Sequence, residues 1–316
     1  MAVFHGSKVK MFSLTSNKKL ASDIADYIGI PITNCEVTHF ADGEININIP
    51  ETVRGHKVFV IQSTCAPVNE HIMELLIMID ALKRASAREI NIIMPYYGYS
   101  RQDRKAKARQ PISAKLVADL LQTAGSTRVL CMDLHAAQIQ GFFNIPIDNF
   151  RSLPIIAEYI KNKNLSDIVV VSPDHGGVAR ARSLADVLGA PIAIIDKTRP
   201  EPNVAEVMNI IGSVKNKTCI IIDDMIDTAG SITAATYALK AAGALNLIAC
   251  CTHPLFSGKA VELLKKAPIS EVICTDTVEL TEDKKFDKLV QLSVAKLLGQ
   301  GIINIIDDQG VSTLFQ

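Results

Sequence analysis

The 316-residue sequence lacks several features that would assign it to a familiar class of protein. Lys plus Arg and Asp plus Glu each number 33, so the formal net charge is zero, which argues against a general nucleic-acid binder. Its apolar runs, among them 168–171, 219–222 and 247–251, fall far short of the roughly 20 residues that a membrane-spanning helix needs. The first residues also lack the basic-then-apolar layout of a signal peptide. These absences predict a cytoplasmic protein that binds neither nucleic acid nor membrane.

Two further absences limit the chemistry. The seven cysteines are odd in number and show no Cys-x-x-Cys spacing, so we interpret them as reduced core residues rather than as a disulfide or zinc framework. Neither Gly-x-x-x-x-Gly-Lys-Ser/Thr nor Gly-x-Gly-x-x-Gly occurs. A bound nucleotide would therefore be held without either common phosphate-binding motif.

The composition and the periodicity predict an α/β protein with two domains. The chain is 48% hydrophobic and 21% charged, and it is too long for one small domain. Strand-like and helix-like segments alternate along it, which predicts parallel sheets flanked by helices. The alternation restarts near 144–152. We therefore expect domains at 1–146 and 147–295, and a C-terminal tail at 296–316 that packs back on the first domain.

Residues 219–233 are the most informative segment. An apolar run that predicts a buried strand ends in Asp223 and Asp224, and a small-residue turn at 228–231 leads into a helical run. The turn can direct backbone N–H groups and hydroxyls at a phosphate at the positive end of the helix. Adjacent carboxylates at the carboxyl end of a strand can hold sugar hydroxyls. This combination predicts a phosphorylated-sugar site, although a single acid here could simply cap a helix.

Two segments in the first half have both a functional and a plain interpretation. Residues 95–105 combine aromatic and basic side chains after a predicted strand, and Lys107 and Arg109 continue the basic run. They could hold polyphosphate and a nucleobase, or form a solvated, salt-bridging loop. Residues 40–44 indicate a turn between two strands. This turn could be a simple hairpin, or its aromatic could stack on a base while its acids accept hydrogen bonds from an exocyclic amine.

Further polar residues follow other predicted strands. Asp and His recur at 133–135 and at 173–177, where oxygen and imidazole ligands could hold a hard cation such as Mg²⁺. Lys197 and Arg199 stand at the base of a segment, 198–203, that could be an exposed connector. On a closing loop the two cations would neutralise charge during phosphoryl transfer and help to exclude water.

These strings resemble known families. The segment at 219–233 resembles the phosphoribosyl-pyrophosphate (PRPP) motif of type I phosphoribosyltransferases and of ribose-phosphate pyrophosphokinases. The latter family is matched along essentially the whole chain by six strings in its own order: Phe-x-Asp-Gly-Glu at 40–44, Tyr-x-Arg-Gln-Asp-Arg at 99–104, Asp-Leu-His-Ala at 133–136, Pro-Asp-His-Gly-Gly at 173–177, Asp-Lys-x-Arg-Pro at 196–200 and Asp-Asp-Met-Ile-Asp-Thr-Ala-Gly-Ser at 223–231.

The resemblance implies a fold, a reaction and a set of site residues. The domains would be phosphoribosyltransferase-like, and MgATP would give its pyrophosphoryl group to the anomeric hydroxyl of ribose 5-phosphate, yielding PRPP and AMP for nucleotide biosynthesis. Mg²⁺ would lie on His135 and Asp174, and Lys197 and Arg199 would be catalytic. ATP would contact Phe40, Asp42, Gly43, Glu44, Arg101 and Gln102. Ribose 5-phosphate would contact Arg199, Asp223, Asp224, Asp227, Thr228, Ala229, Gly230 and Ser231.

The resemblance also bears on assembly and regulation. It implies a homo-oligomer, a hexamer, in which a neighbouring subunit supplies residues 40–44. Thr198 stands where the family often has Arg, but Lys197 and Arg199 match. In the regulatory tail Gly310 replaces the first Ser of a Ser-x-Ser string, whereas Arg54 matches the arginine that partners that tail. We therefore expect weakened activation by phosphate and leave the inhibition by ADP open.

Two rival functions are compatible with part of this pattern. A phosphoribosyltransferase would consume PRPP and ignore ATP, but it would normally be a single shorter domain without the elements at 40–44 and 99–104. A catalytically inactive regulatory relative would be expected to lose Lys197, Arg199, His135 or one acid of the Asp223–Asp224 pair, and all of these are present.

Overall fold

The computed structural model describes residues 8–198 and 207–315, and within them the chain alternates strands and helices. The strands are β1 (Val9–Ser13), β2 (Glu36–His39), β3 (Ile45–Asn48), β4 (Lys57–Ile61), β5 (Glu89–Met94), β6 (Arg128–Met132), β7 (Ile147–Phe150), β8 (Ile168–Ser172), β9 (Ile192–Thr198), β10 (Val207–Ile211), β11 (Thr218–Ile226), β12 (Asn246–Pro254), β13 (Glu271–Thr275) and β14 (Leu289–Leu292). The helices are α1 (Lys18–Ile28), α2 (Val68–Arg84), α3 (Ser113–Ala124), α4 (Leu153–Asn162), α5 (Val178–Leu188), α6 (Gly230–Ala241), α7 (Ala260–Lys266) and α8 (Ala295–Ile306). Among these described residues no helix has the length and apolarity required to cross a membrane.

The chain divides into two compact units. The first comprises Met1–Arg151, Thr277–Glu279 and Ser293–Gln316, and the second comprises Ser152–Asp276 and Leu280–Leu292. Each has its own buried apolar core. The predicted α/β class with parallel sheets flanked by helices is confirmed.

The first unit is built on a five-stranded sheet in the order β1-β4-β5-β6-β7, and every neighbouring pair is parallel. All five residues of β4 are buried, as expected for a central strand that is covered on both faces. A separate antiparallel hairpin pairs β2 with β3, with His39 opposite Ile45 at its closed end. Because parallel strands point the same way, the carboxyl ends of β1, β4, β5 and β6 share one edge of this sheet.

The second unit contains a seven-stranded sheet in the order β10-β9-β8-β11-β12-β13-β14. Six of its strands are parallel, but β10 is antiparallel to β9, with Val207 opposite Thr198. The sheet is therefore parallel except at this edge strand. The reason is the short connection, since the eight residues at 199–206 are too few for the crossover of a dozen or more residues that parallel pairing requires.

The structure also corrects the placement of residues 147–150, which we assigned to the second domain. They form β7, which pairs in parallel with β6 at the edge of the first sheet. The pairing partner of a short edge strand is a long-range property that local periodicity does not report. The remaining division of the chain into functional domains stays a proposal.

Residues of the predicted C-terminal tail contact the start of the chain within the first unit. The Lys57 Nζ atom donates to the Ile305 carbonyl oxygen at 2.9 Å, and the Tyr27 hydroxyl donates to Gln300 Oε1 at 3.1 Å. Gly301 faces the buried Phe150 ring, and a Cβ placed on it would lie 2.5 Å from Phe150 Cζ. A residue larger than glycine at position 301 would therefore not fit between helix α8 and the Phe150 ring.

This close packing makes Gly301→Ala a test of how tightly α8 is held. Alanine normally stabilises a helix interior by about 0.5–1 kcal/mol relative to glycine. Here the added methyl group has no room, and overpacking costs about 1–3 kcal/mol. We expect a lower unfolding midpoint in urea. Gly141→Ala is the matched control, because no atom lies within 4 Å of a Cβ at that position, and it should change the midpoint far less.

Candidate active site

The two acids of the PRPP-type segment lie within a strand and not after it. Strand β11 continues through Asp223 and Asp224 to Ile226, which corrects the expectation that it ends at the first acid. The reason is its neighbour, because β12 also runs on to Pro254 and pairs with β11 beyond the acids, with Asp223 opposite Cys251 and Ile226 opposite Pro254. On the other side, β8 pairs with β11 only as far as Ile221. The acids therefore lie on β11 just past its last pair with β8, next to the opening that β8 leaves.

This opening lies at a topological switch point of the sheet. From β8 the chain passes through α5 to β9 on one side, whereas from β11 it passes through α6 to β12 on the other. Open α/β sheets bind their ligands in the crevice outside the carboxyl ends of the strands at such a reversal. The Asp174 loop after β8 and the Asp223–Asp224 pair flank this crevice. The topology thus supports the sequence-based choice of these residues.

The turn after β11 has the backbone of an anion cradle. The Ser257 N–H donates to the Asp227 carbonyl oxygen at 2.9 Å, which ties down the start of the turn. Ala229 adopts the left-handed conformation, with φ of +62°, and caps helix α6. Helix α6 begins at Gly230, so its first N–H groups, which have no intrahelical partner, lie at the exposed Gly230 and Ser231. Together with the exposed Thr228 hydroxyl they suit a phosphate.

Arg180 is a charged neighbour of the acid pair that the sequence analysis missed. Its Nη1 atom lies 3.3 Å from Asp223 Oδ1 and 3.5 Å from Asp224 Oδ1. A signal was available, because Arg180 falls in the first turn of α5, where the helix dipole disfavours a cation. A cation at that position indicates nearby acids, although the sequence does not say which ones.

The acid pair has unusual electrostatics. Burial, and next the charge of Asp224, raise the pKa of Asp223 to about 7, while Arg180 lowers it. Asp224 is more deeply buried, with a side chain only 5% exposed compared with 30% for Asp223. The Asp223 carboxyl group therefore changes its charge near neutral pH.

The Asp174 loop and strand β9 are joined by a direct contact. Asp174 Oδ1 accepts a hydrogen bond from the Gly177 N–H at 2.9 Å, which fixes the loop at the start of α5. His175 Nε2 lies 2.8 Å from Asp196 Oδ1. Asp196 directly precedes Lys197, whose backbone pairs with Met208 across the β9–β10 ladder. Arg199, the other predicted catalytic residue, lies outside the described residues.

In the first unit, the predicted nucleotide turn at 40–44 is the tip of the β2–β3 hairpin. Its backbone is closed by two hydrogen bonds, from the Phe40 N–H to the Glu44 oxygen at 2.8 Å and from the Gly43 N–H to the Phe40 oxygen at 2.9 Å. Gly43 has φ of +95°, a conformation that favours glycine. Phe40 is 57% exposed, and Asp42 and Glu44 are also exposed. The tip thus exposes an aromatic face and two acids.

The loop with Arg101 and Gln102 follows β5. The Gln102 N–H donates to the Tyr99 oxygen at 3.0 Å, and the Gln102 oxygen accepts from the Ala114 N–H at 3.2 Å. The Gln102 side-chain oxygen also accepts from the Ser113 hydroxyl. Arg101 and Gln102 are exposed, and the loop is fixed by its backbone hydrogen bonds and by the Gln102 side chain.

His135 follows the neighbouring strand β6. It is exposed, whereas Asp133 two residues earlier is buried and lies 3.6 Å from Arg151 Nη1. Of the predicted metal ligands, His135 belongs to the first unit and Asp174 to the second. Within residues 8–198 and 207–315, no group of three or more His, Cys, Asp or Glu side chains forms a metal-binding cluster. Each unit therefore offers one predicted ligand.

The titration of Asp223 leads to a pH prediction. An ionised carboxylate accepts hydrogen bonds from sugar hydroxyls better than a protonated one, so the KM for ribose 5-phosphate should rise as the pH falls through about 7. Arg180→Gln removes the charge that lowers the pKa of Asp223. The rise in KM should then begin at a higher pH, while Arg180→Lys should stay close to the wild-type profile.

Initial rates measured from pH 5.5 to 9 at saturating ATP check this prediction. The phosphate of the substrate also titrates, with a second pKa of about 6, but it does so equally for all three proteins. Superimposable KM profiles for wild type and Arg180→Gln would contradict the role of Arg180.

Known proteins of one family are similar to this chain over almost its whole length. Residues 9–125 match the N-terminal domain of ribose phosphate pyrophosphokinase, and residues 149–287 match the phosphoribosyl transferase domain. The ribose-phosphate pyrophosphokinase of Bacillus caldolyticus is 62% identical over 308 residues, 98% of each chain. That of Bacillus subtilis strain 168 is 60% identical over 312 residues, also 98% of each chain.

A solved structure extends the agreement to three dimensions. The crystal structure of phosphoribosylpyrophosphate synthetase from Mycobacterium smegmatis superposes with a TM-score of 0.92 at 44% identity, covering 96% of this chain and 100% of that one. Similarity of this extent is not limited to the single domain shared with phosphoribosyltransferases. The chain therefore belongs to the ribose-phosphate pyrophosphokinase family.

Proposed function

We propose that this chain transfers the pyrophosphoryl group of ATP to the anomeric hydroxyl of ribose 5-phosphate, giving PRPP and AMP. Its full-length likeness to ribose-phosphate pyrophosphokinases supports the reaction. The structural observation that carries the proposal is the pair of acids, Asp223 and Asp224, beside the anion cradle at the start of α6, at a topological switch point of the second sheet.

Ribose 5-phosphate fits this site in one orientation. Its phosphate would lie on the 227–231 turn, where the exposed Thr228, Gly230 and Ser231 supply N–H and hydroxyl donors. Its 2′ and 3′ hydroxyls would donate to Asp223 and Asp224, which are acceptors when ionised. The donors of the turn would thus bind the phosphate, and the two acids would bind the sugar ring. In this orientation the anomeric carbon points away from α6.

ATP would use residues of the first unit. Phe40 offers an exposed aromatic face for the adenine ring, Asp42 and Glu44 offer acceptors for its amino group, and Arg101 and Gln102 offer polar contacts to the nucleotide. We propose that the 40–44 tip serves the site of a neighbouring subunit in a homo-oligomer, a hexamer. The exposure of Phe40 at the hairpin tip leaves its ring accessible to such a neighbouring site.

The chemistry is a displacement at phosphorus. The anomeric oxygen forms a bond to the β-phosphorus of ATP, the bond from that phosphorus to the oxygen bridging to the α-phosphorus breaks, and AMP leaves with the bridging oxygen. The anomeric hydroxyl releases its proton to solvent. The protein supplies position and charge. Lys197 and Arg199 would neutralise the negative charge on the transferring group, and no dedicated general base is required.

His135 and Asp174 would hold Mg²⁺. One imidazole nitrogen and one carboxylate suit a cation that keeps several waters and takes further ligands from substrate phosphates, so no larger protein cluster is needed. When bound, Mg²⁺ neutralises phosphate charge and polarises the phosphoryl oxygens. The Gly177 N–H, which donates to Asp174 Oδ1 at 2.9 Å, holds this carboxylate in place at the start of α5.

The first test measures AMP and PRPP formation from ATP with and without ribose 5-phosphate in Mg²⁺. We expect both products in equal amounts, only when the sugar is present, and loss of turnover when EDTA removes the divalent cation. Turnover of PRPP with a free base and no use of ATP would identify a phosphoribosyltransferase. Binding of ribose 5-phosphate without turnover would identify a regulatory subunit.

Lys197→Ala tests the catalytic assignment. A cation that acts mainly in the transition state affects kcat more than substrate binding, and loss of one such group costs about 10²–10³-fold in rate. We expect a fall in kcat of that order with little change in ATP affinity. Lys215→Ala, a substitution of an exposed lysine that precedes β11, is the control. A near-wild-type kcat for Lys197→Ala would remove this residue from the mechanism.

A further inference from the structure

Arg101 and Gln102 lie on a loop that is held by residues from other parts of the chain. The proposed function gives these other residues no role. The loop leaves the carboxyl end of β5 and leads to α3. At its start, the buried Tyr97 ring anchors it by donating from the hydroxyl to the Ala114 oxygen at 2.8 Å. Between Tyr97 and Gln102 the chain depends on contacts with Thr64, which follows β4, and with Asn69 in the first turn of α2.

Thr64 binds the loop through its backbone N–H group and through its side-chain hydroxyl. Its backbone N–H donates to the Tyr96 oxygen at 2.9 Å, and its hydroxyl lies 3.2 Å from the same oxygen. The hydroxyl oxygen also accepts from the Gly98 N–H at 2.6 Å. Thr64 is fully buried, so water cannot replace the hydroxyl as a partner for Gly98. Removing it would leave a buried N–H group unsatisfied.

The backbones on either side of this contact are too close for a side chain at position 98. A Cβ added to Gly98 would lie 2.4 Å from the Thr64 carbonyl oxygen. The end of β4 and the start of the loop are therefore packed main chain against main chain. This fit leaves the loop little freedom to move away from Thr64.

The next residue, Tyr99, adopts a conformation that non-glycine residues rarely use. Its φ is +62°, and a bulky residue in the left-handed region carries a conformational cost that surrounding contacts must offset. The Tyr99 hydroxyl donates to Asn69 Oδ1 at 2.6 Å. The Tyr99 carbonyl oxygen then accepts from the Gln102 N–H. The left-handed backbone conformation of Tyr99 thus determines where Arg101 and Gln102 lie in the loop.

We infer that Thr64 and Asn69 are positioning residues for the nucleotide: they hold the two halves of the 96–102 loop so that Arg101 and Gln102 are presented to ATP. The inference rests on the proposed function, which assigns Arg101 and Gln102 to ATP. Neither Thr64 nor Asn69 needs to touch the ligand. Their effect is on ATP affinity, because loop placement alters binding in the ground state and the transition state alike.

The main experiment compares Thr64→Val with Thr64→Ser. Valine keeps the shape of the side chain but removes the hydroxyl, whereas serine keeps the hydroxyl. We expect Thr64→Val to raise the KM for ATP about tenfold, the effect of one lost buried hydrogen bond, with little change in kcat or in the KM for ribose 5-phosphate. Thr64→Ser should recover most of the ATP affinity.

A second set of variants is designed to avoid the buried core. Tyr99→Phe and Asn69→Ala each remove the same phenol–amide hydrogen bond, so the double variant should raise the KM for ATP no more than either single variant does. Equilibrium binding of an ATP analogue with a methylene bridge between the α- and β-phosphorus, which cannot be cleaved, should show the same losses. Thermal unfolding of each variant verifies that the protein is folded.

The outcomes separate this inference from the proposed function. If the wild type makes no PRPP, the proposed function is wrong, and this result does not depend on the loop variants. If the wild type turns over and Thr64→Val and Tyr99→Phe keep wild-type ATP affinity, the positioning role is overturned. Equal increases in the KM values of ATP and ribose 5-phosphate would also overturn it, because they indicate general structural damage. Additive effects of Tyr99→Phe and Asn69→Ala would rule out their shared hydrogen bond.

Discussion

The unequal pairing of β11 with its two neighbours is the constraint on which the proposed sugar site depends. On the β12 side the ladder runs to Ile226, which holds Asp223 and Asp224 in rigid extended backbone, while on the β8 side it ends at Ile221. One neighbour therefore supplies rigidity and the other leaves room for a ligand. A site on a strand that is supported on one side is more precise than the same residues on a free loop, because the backbone has only one conformation available.

The charges of the site follow from that placement. Burial of the strand, and next the charge of the adjacent Asp224, raise the pKa of Asp223 to about 7. Arg180 lies within 3.5 Å of both acids and opposes this rise. Sugar hydroxyls that donate to the acids would act in the same direction as Arg180. Binding and ionisation at this site are therefore linked.

The sequence predicted most local elements well, and its errors have a common cause. The predicted alternation of strand-like and helix-like segments is found, because apolar periodicity is a local property of each segment. Strand β7, the antiparallel direction of β10 and the extension of β11 past Asp223 were missed or wrong. In each case a neighbouring strand decides the outcome, and single-strand patterns contain no information about that neighbour.

The sequence by itself determined the α/β class, the family and the candidate site residues, because ordered motifs at strand ends carry that information locally. Only the tertiary structure decided that Arg180 faces the acid pair and that Asp196 contacts His175. It also decided that Thr64 and Asn69 hold the 96–102 loop. The physical reason is that hydrogen bonds and charge interactions act over a few ångströms in space, and these partners are separated by many residues along the chain.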